Sequence, residues 1–211
     1  MVDSRPRSML SASIRATLEN VALGVLFTFF AMSAFLTWRQ TGQVQMLLLA
    51  IQEGLLIGMI ITRRRSTDVS RSWVDALIAL IGTAAPLFQR AGGWTTPLLE
   101  ELGFAIQIIG LVLSIIAVSS LGRSFGILAA NRGVKTNGLY RLVRHPLYGS
   151  YLFSYIGFLL GNLSLVNLAA ILFALFCQYL RARAEEQVLL RDPAYQAYAS
   201  QVRYRFIPFL I

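Results

Sequence analysis

Six stretches of this chain are apolar, most of them about 15 to 20 residues long, which is what a helix needs to cross a hydrocarbon layer. They run from Val21 to Trp38, Val44 to Thr62, Trp73 to Gln89, Leu102 to Leu121, Leu147 to Gly161, and Leu163 to about Arg181. The pattern predicts an all-α, polytopic membrane bundle of six helical segments, with the fifth one short. The composition agrees, at 56% hydrophobic and 14% charged over 211 residues. Residues 1–20 carry Ser, Arg and few large apolar groups, and are expected to form a flexible or interfacial lead. The first apolar run exceeds the ~7–15-residue core of a secretory signal, so it is read as a retained first helix.

A net charge of +9 would suggest nucleic acid in a soluble protein, but the basic residues follow the loops. Of the 19 Lys and Arg, 17 fall before the first stretch or after the second, fourth and sixth, which leaves only Arg39 and Arg90 on the other side. The positive-inside rule then puts both termini in the cytoplasm. Nucleic-acid binding, which needs a basic patch with readers between its charges, is not expected; attraction to anionic headgroups is the natural by-product. Cys177 is the only cysteine and His145 the only histidine, which excludes an intrachain disulfide and Cys-based or His-pair zinc motifs.

The halves differ. Residues 21–121 read as a four-helix scaffold whose polar residues are few, chiefly Gln52, Glu53, Asp75 and Gln107. From residue 122 to 211, Gly, Arg, Asn, Tyr and His concentrate, and the chemistry is expected there. Pro146 suits the first turn of a helix, since its missing N–H has no partner there. Gly161-Asn162 should break that helix, and the next keeps a helical rhythm through Leu189-Leu190, longer than the ~30 Å apolar core. This hairpin returns Glu185 and Glu186 to the same face as Arg144, His145 and Tyr148.

Each candidate has a plain structural alternative. His145, just before the proline, is a general base, a cofactor contact, or simply a helix cap. Arg144 orients a negative charge or snorkels to headgroups. Glu185 and Glu186 bind a ligand or pair with Arg181 and Arg183 one turn away. Glu53, mid-span, is a buried structural contact that Gln52 satisfies, or lies on an acceptor path. Asn131, Gly133, Asn137 and Gly138 read as turn residues. Tyr195, Tyr198, Tyr204 and Phe206 form a cap or an interfacial belt.

The segments GLYRLVRHPLYGSY, RARAEEQVLL and AYQAYASQVRYRFIP, over roughly Leu121 to Pro208, resemble the integral membrane methyltransferases related to isoprenylcysteine carboxyl methyltransferase and phospholipid N-methyltransferases. Gly122 to Gly126 resembles the family's short segment after the central span. The resemblance implies S-adenosylmethionine as cofactor, held at the cytoplasmic face by the Arg-His-Pro-x-Tyr segment and the Glu pair, and a lipophilic or lipid acceptor arriving through the bilayer. It implies cofactor contacts by Tyr140, His145, Pro146, Tyr148, Gly149, Glu185 and Glu186, and catalytic roles for Arg144 and Glu186. The location expected is a bacterial inner membrane.

Residue chemistry fits that cofactor independently. A helix N-terminus at Pro146 suits its carboxylate, Gly149 allows close backbone approach, Tyr140 and Tyr148 suit adenine or sulfonium, and a Glu suits its ammonium or ribose hydroxyls. O-, N- and S-methylation stay open, as does oligomeric state. Two other readings stand beside this one: a nicotinamide-dependent membrane reductase, and a non-catalytic lipid-binding bundle.

Overall fold

The computed structural model describes residues 5–62, 73–84, 88–124, 131 and 133–210, with backbone alone for 5–20, 76, 83 and 123. The basic loop 63–72, residues 125 and 126 of the Gly-rich turn, and Arg132 lie outside these residues. Seven α-helices follow one another among the described residues: α1 (Arg5–Thr41), α2 (Val44–Thr62), α3 (Trp73–Ala84), α4 (Pro97–Leu121), α5 (Pro146–Gly161), α6 (Leu165–Leu189) and α7 (Pro193–Gln201). Val21–Thr41, Val44–Thr62, Pro97–Leu121 and Leu165–Leu189 are long and apolar enough to cross a membrane. A helix satisfies its own backbone in hydrocarbon, where water is absent. Large apolar side chains such as Val25, Phe29, Ile61, Ile109 and Phe176 cover the outer surface, as a lipid-facing bundle requires.

The second and fifth helices lie where the sequence puts them. Three segments differ, the fourth only in starting at Pro97, five residues before the expected Leu102. Residues 5–20, read as a flexible or interfacial lead, are helical and continuous with the first span. The third segment, expected from Trp73 to Gln89, is helical only over Trp73–Ala84, with residues 85–87 outside the description.

Small residues let α4 and α5 meet backbone to backbone. A Cβ at Gly157 would lie 2.5 Å from both Gln107 N and Gly103 O, and one at Gly110 2.5 Å from Ser154 Oγ. Neutral polar side chains join these two helices to each other and to α2. Ser114 and Ser150 share a hydrogen bond of 2.7 Å, Ser154 donates to Gln52 Oε1 at 2.7 Å, and Gln107 donates to the Gln45 carbonyl at 2.9 Å. Close approach of small residues and neutral cross-helix hydrogen bonds are what hold helices together when lipid is as apolar as the core. Gln52 therefore turns to α5 and does not satisfy Glu53, whose Oε2 is buried without a hydrogen-bond partner.

The far end of the bundle is fixed by two asparagines with no exposed surface. Asn162 Oδ1 accepts from Gly92 N, and Asn167 accepts from Arg90 N while donating to the Arg90 and Asn162 carbonyls. At the near end α6, with 25 residues, reaches about 37 Å at 1.5 Å per residue. It outruns a ~30 Å hydrocarbon layer, and its last turns bring Arg181 to Glu186 beside the start of α5.

Candidate functional site

Pro146 opens α5 as its first residue, as its sequence position requires, but His145 does not cap the helix with its side chain. The imidazole instead lies between the two carboxylates of α6. Its Nε2 is 3.2 Å from Glu186 Oε1 and its Nδ1 is 3.7 Å from Glu185 Oε2. The tyrosine one helical turn on, Tyr148, donates its hydroxyl to Glu185 Oε1 at 2.5 Å, and the Arg181 guanidinium sits 5.4 Å from its ring centre. The residue just before α5 and one in its first turn thus address two adjacent residues on α6.

Glu186 is the more heavily engaged carboxylate. Besides His145 it meets Arg144 Nη1 at 3.2 Å and Arg205 Nε at 3.1 Å, and its side chain is only 5% exposed. Glu185 is more open, at 20%. The alternative reading, in which each Glu merely pairs with Arg181 or Arg183 on its own helix, misses this cross-chain geometry.

The segment after α7 completes the site. Arg144 N donates to the Tyr204 carbonyl at 2.9 Å and His145 N to the Arg205 carbonyl at 2.7 Å. The Phe206 ring lies 5.9 Å from the imidazole and 6.5 Å from the Tyr179 ring. Phe206 also explains Gly149: a Cβ there would come within 2.4 Å of the Phe206 carbonyl oxygen. The close approach that this glycine permits is to the chain's own tail.

Tyr140 is buried, and its carbonyl accepts the Tyr198 hydroxyl at 2.7 Å. Burial pushes the Tyr198 phenol up to about 12 although Arg144 pulls it down, so at neutral pH it stays a donor. Burial, then Glu185 and Tyr198, raise the Tyr140 phenol in the same sense. Beside Tyr198 an open groove of about 570 Å³ is lined by Asn137, Arg141, Ala197 and Gln201 among others. Asn131 Oδ1 accepts from Gly133 N, where φ is 97°, an Asx turn of the kind expected.

Sequence reasoning placed Arg144, His145, Pro146, Tyr148, Glu185 and Glu186 at one end of the α5–α6 hairpin, and the structure brings them together there. It missed Arg205, read only as one more loop charge, and α7. The signal for α7 was present in Asp192-Pro193, a cap residue followed by a proline suited to the first turn. Asp192 Oδ1 accepts from Ala194 N, and Oδ2 accepts from Asn131 Nδ2, which, with the Ala194 N–H, holds its carboxyl below the usual range.

Apolar spanning helices with a charged, aromatic cluster at one end of the last hairpin mark an integral membrane protein. Residues 99–196 match the phospholipid methyltransferase family, which supports membrane methyltransferase activity and bears out the resemblance over that segment. The fold is similar to that of a eukaryotic intramembrane Ras methyltransferase, isoprenylcysteine carboxyl methyltransferase. That likeness covers 99% of this chain and 88% of the other, with a TM-score of 0.55 and 20% identity. No curated protein matches.

Proposed function

We propose that this protein transfers a methyl group from S-adenosylmethionine to a lipophilic or lipid acceptor at the cytoplasmic membrane face. The reading rests on one observation: the Arg144-His145-Pro146 segment meets Glu185 and Glu186 within the stretch that matches the phospholipid methyltransferase family. Residues 122–211 act as the catalytic half in this reading, and 21–121 as scaffold.

The donor set suits the cofactor. Glu185, the more open carboxylate, is fitted to an ammonium. The first turn of α5 presents N–H groups without intrahelical partners to a carboxylate. Tyr148 supplies an aromatic face. When bound, the cofactor supplies an electrophilic methyl on a sulfonium, which the acceptor atom takes in line with the departing sulfur. The chain positions the partners and excludes water. A carboxylate or thiolate acceptor needs no base. An amine must lose a proton, and His145 fits that task better than Glu186, whose oxygens already face two guanidinium groups and the imidazole.

Calorimetric titration of detergent-purified protein with S-adenosylmethionine and S-adenosylhomocysteine, with NADPH as control, tests the reading. Saturable binding of the sulfur compounds is expected, weakened about tenfold or more in His145→Ala and Glu186→Gln, since each removes a hydrogen bond to a charged group. Binding of NADPH alone would replace the reading with a reductase, and no binding by folded protein with a non-catalytic bundle. Cysteines at Ser66 and Asn137 should label from the cytoplasm and one at Gly92 from outside; the reverse pattern would move the site to the other face.

A further inference from the structure

Arg205 belongs to no helix, yet it touches the most buried carboxylate of the site. Its Nε lies 3.1 Å from Glu186 Oε2 and 3.3 Å from Oε1, while Arg144 Nη1 and His145 Nε2 both meet Oε1 at 3.2 Å. One carboxylate therefore joins three pieces of chain: the end of α6, the turn before α5, and the strap after α7. The main chain of the strap runs alongside the same turn. The Arg144 and His145 amides donate to Tyr204 and Arg205 carbonyls, and Arg144 Nη2 reaches the Arg203 carbonyl at 3.3 Å. Phe206 then closes over His145 and fills the space left by Gly149.

This arrangement divides the acidic pair. Glu186 has its oxygens occupied by partners from the chain itself, whereas Glu185, which is more open, holds the Tyr148 hydroxyl and the more distant imidazole Nδ1 and feels the Arg181 charge. We propose that Arg205 is a positioning residue: through Glu186 it keeps the strap in register with Arg144-His145, so that Glu186 locks the site and Glu185 meets the ligand. The proposal rests on the methyltransferase reading for the identity of that ligand, but the lock itself does not. Arg205 is 36% exposed, so its charge alone contributes little in water. Its leverage comes from geometry, because it fixes the one carboxylate to which the imidazole and Arg144 are also bound.

The test compares full-length Arg205→Gln, Arg205→Lys and Arg203→Gln with the parent protein in detergent. Two quantities are read: hydrogen exchange at the Arg144 and His145 amides, and affinity for S-adenosylhomocysteine. Arg205→Gln should speed exchange at those amides about tenfold and weaken binding about tenfold, the scale of one lost charged hydrogen bond. Arg205→Lys, which keeps a cation, should recover most of both. Arg203→Gln keeps the carbonyl that Arg144 uses and should change neither. Unchanged exchange in Arg205→Gln would overturn the proposal, as would an equal rise across all helices, which marks a general stability contact. Faster local exchange with unchanged affinity would also overturn it, since the lock would then not position the site. If the parent binds no S-adenosylhomocysteine, the methyltransferase reading falls, and the exchange pattern still decides the lock.

Discussion

The α4–α5 seam and the cluster at the start of α5 lie on the same helix and solve opposite problems. Along the seam, Gly103, Gly110 and Gly157 bring backbones together, and the polar partners, Ser114 with Ser150 across it and Ser154 with Gln52 and Gln107 with Gln45 toward α2, are neutral. At the boundary, Arg144 and Arg205 put formal charges on one carboxylate, Glu186, which the His145 ring also meets. The difference follows from the surroundings. A charge within hydrocarbon costs several kcal/mol, while a neutral hydrogen bond costs little there. Nearer to water, the turn just before the same helix, the end of α6 and the strap after α7 carry the charges.

The seam breaks most readily at its narrowest point. In Gly157→Leu a side chain would enter a space already filled by Gln107 and Gly103 backbone atoms. Rigid backbone on both sides puts the loss at or beyond the usual ~1–3 kcal/mol of overpacking. The melting temperature in detergent should fall sharply, and an unchanged value would mean that α4 and α5 do not meet in this way.

Glu53 sharpens the comparison because it is the exception: a carboxylate on the scaffold side, 5% exposed, with Oε2 lacking a hydrogen bond. If the seam's rule holds throughout the scaffold, the isosteric Glu53→Gln variant keeps the fold and changes stability by no more than about 1 kcal/mol, the scale of one neutral hydrogen bond. A thermal melt and a cofactor titration check this together. A marked loss of binding with the fold intact would make Glu53 part of the site and move the dividing line between the halves.

Much of this was legible in the sequence, and the reasons are specific. The spans could be read because hydrocarbon thickness sets helix length. The meeting of His145 with the Glu pair could be read because a short helix ended by Gly161-Asn162 and an overlong return have one geometric outcome. What approaches Gly149 could not be read, for an equally clear reason. A glycine announces that something approaches closely, but not what, and the approaching group proved to be the carbonyl of Phe206, 57 positions later. Gln52 was assigned to its neighbour Glu53, although adjacent residues on a helix face different directions; its partner is Ser154 on another helix.

The sequence by itself determined that the chain is a membrane helical bundle and that its chemistry gathers at one end of the last hairpin, because apolar period, proline position and charge placement are local quantities. Only the tertiary structure decided how that chemistry is divided. Glu185 and Glu186 are identical and adjacent in the sequence, and nothing near them separates their roles. Their difference comes from Arg144, 42 residues before Glu186, and Arg205, 19 after it, and contacts over such distances are set by packing, which no local pattern encodes.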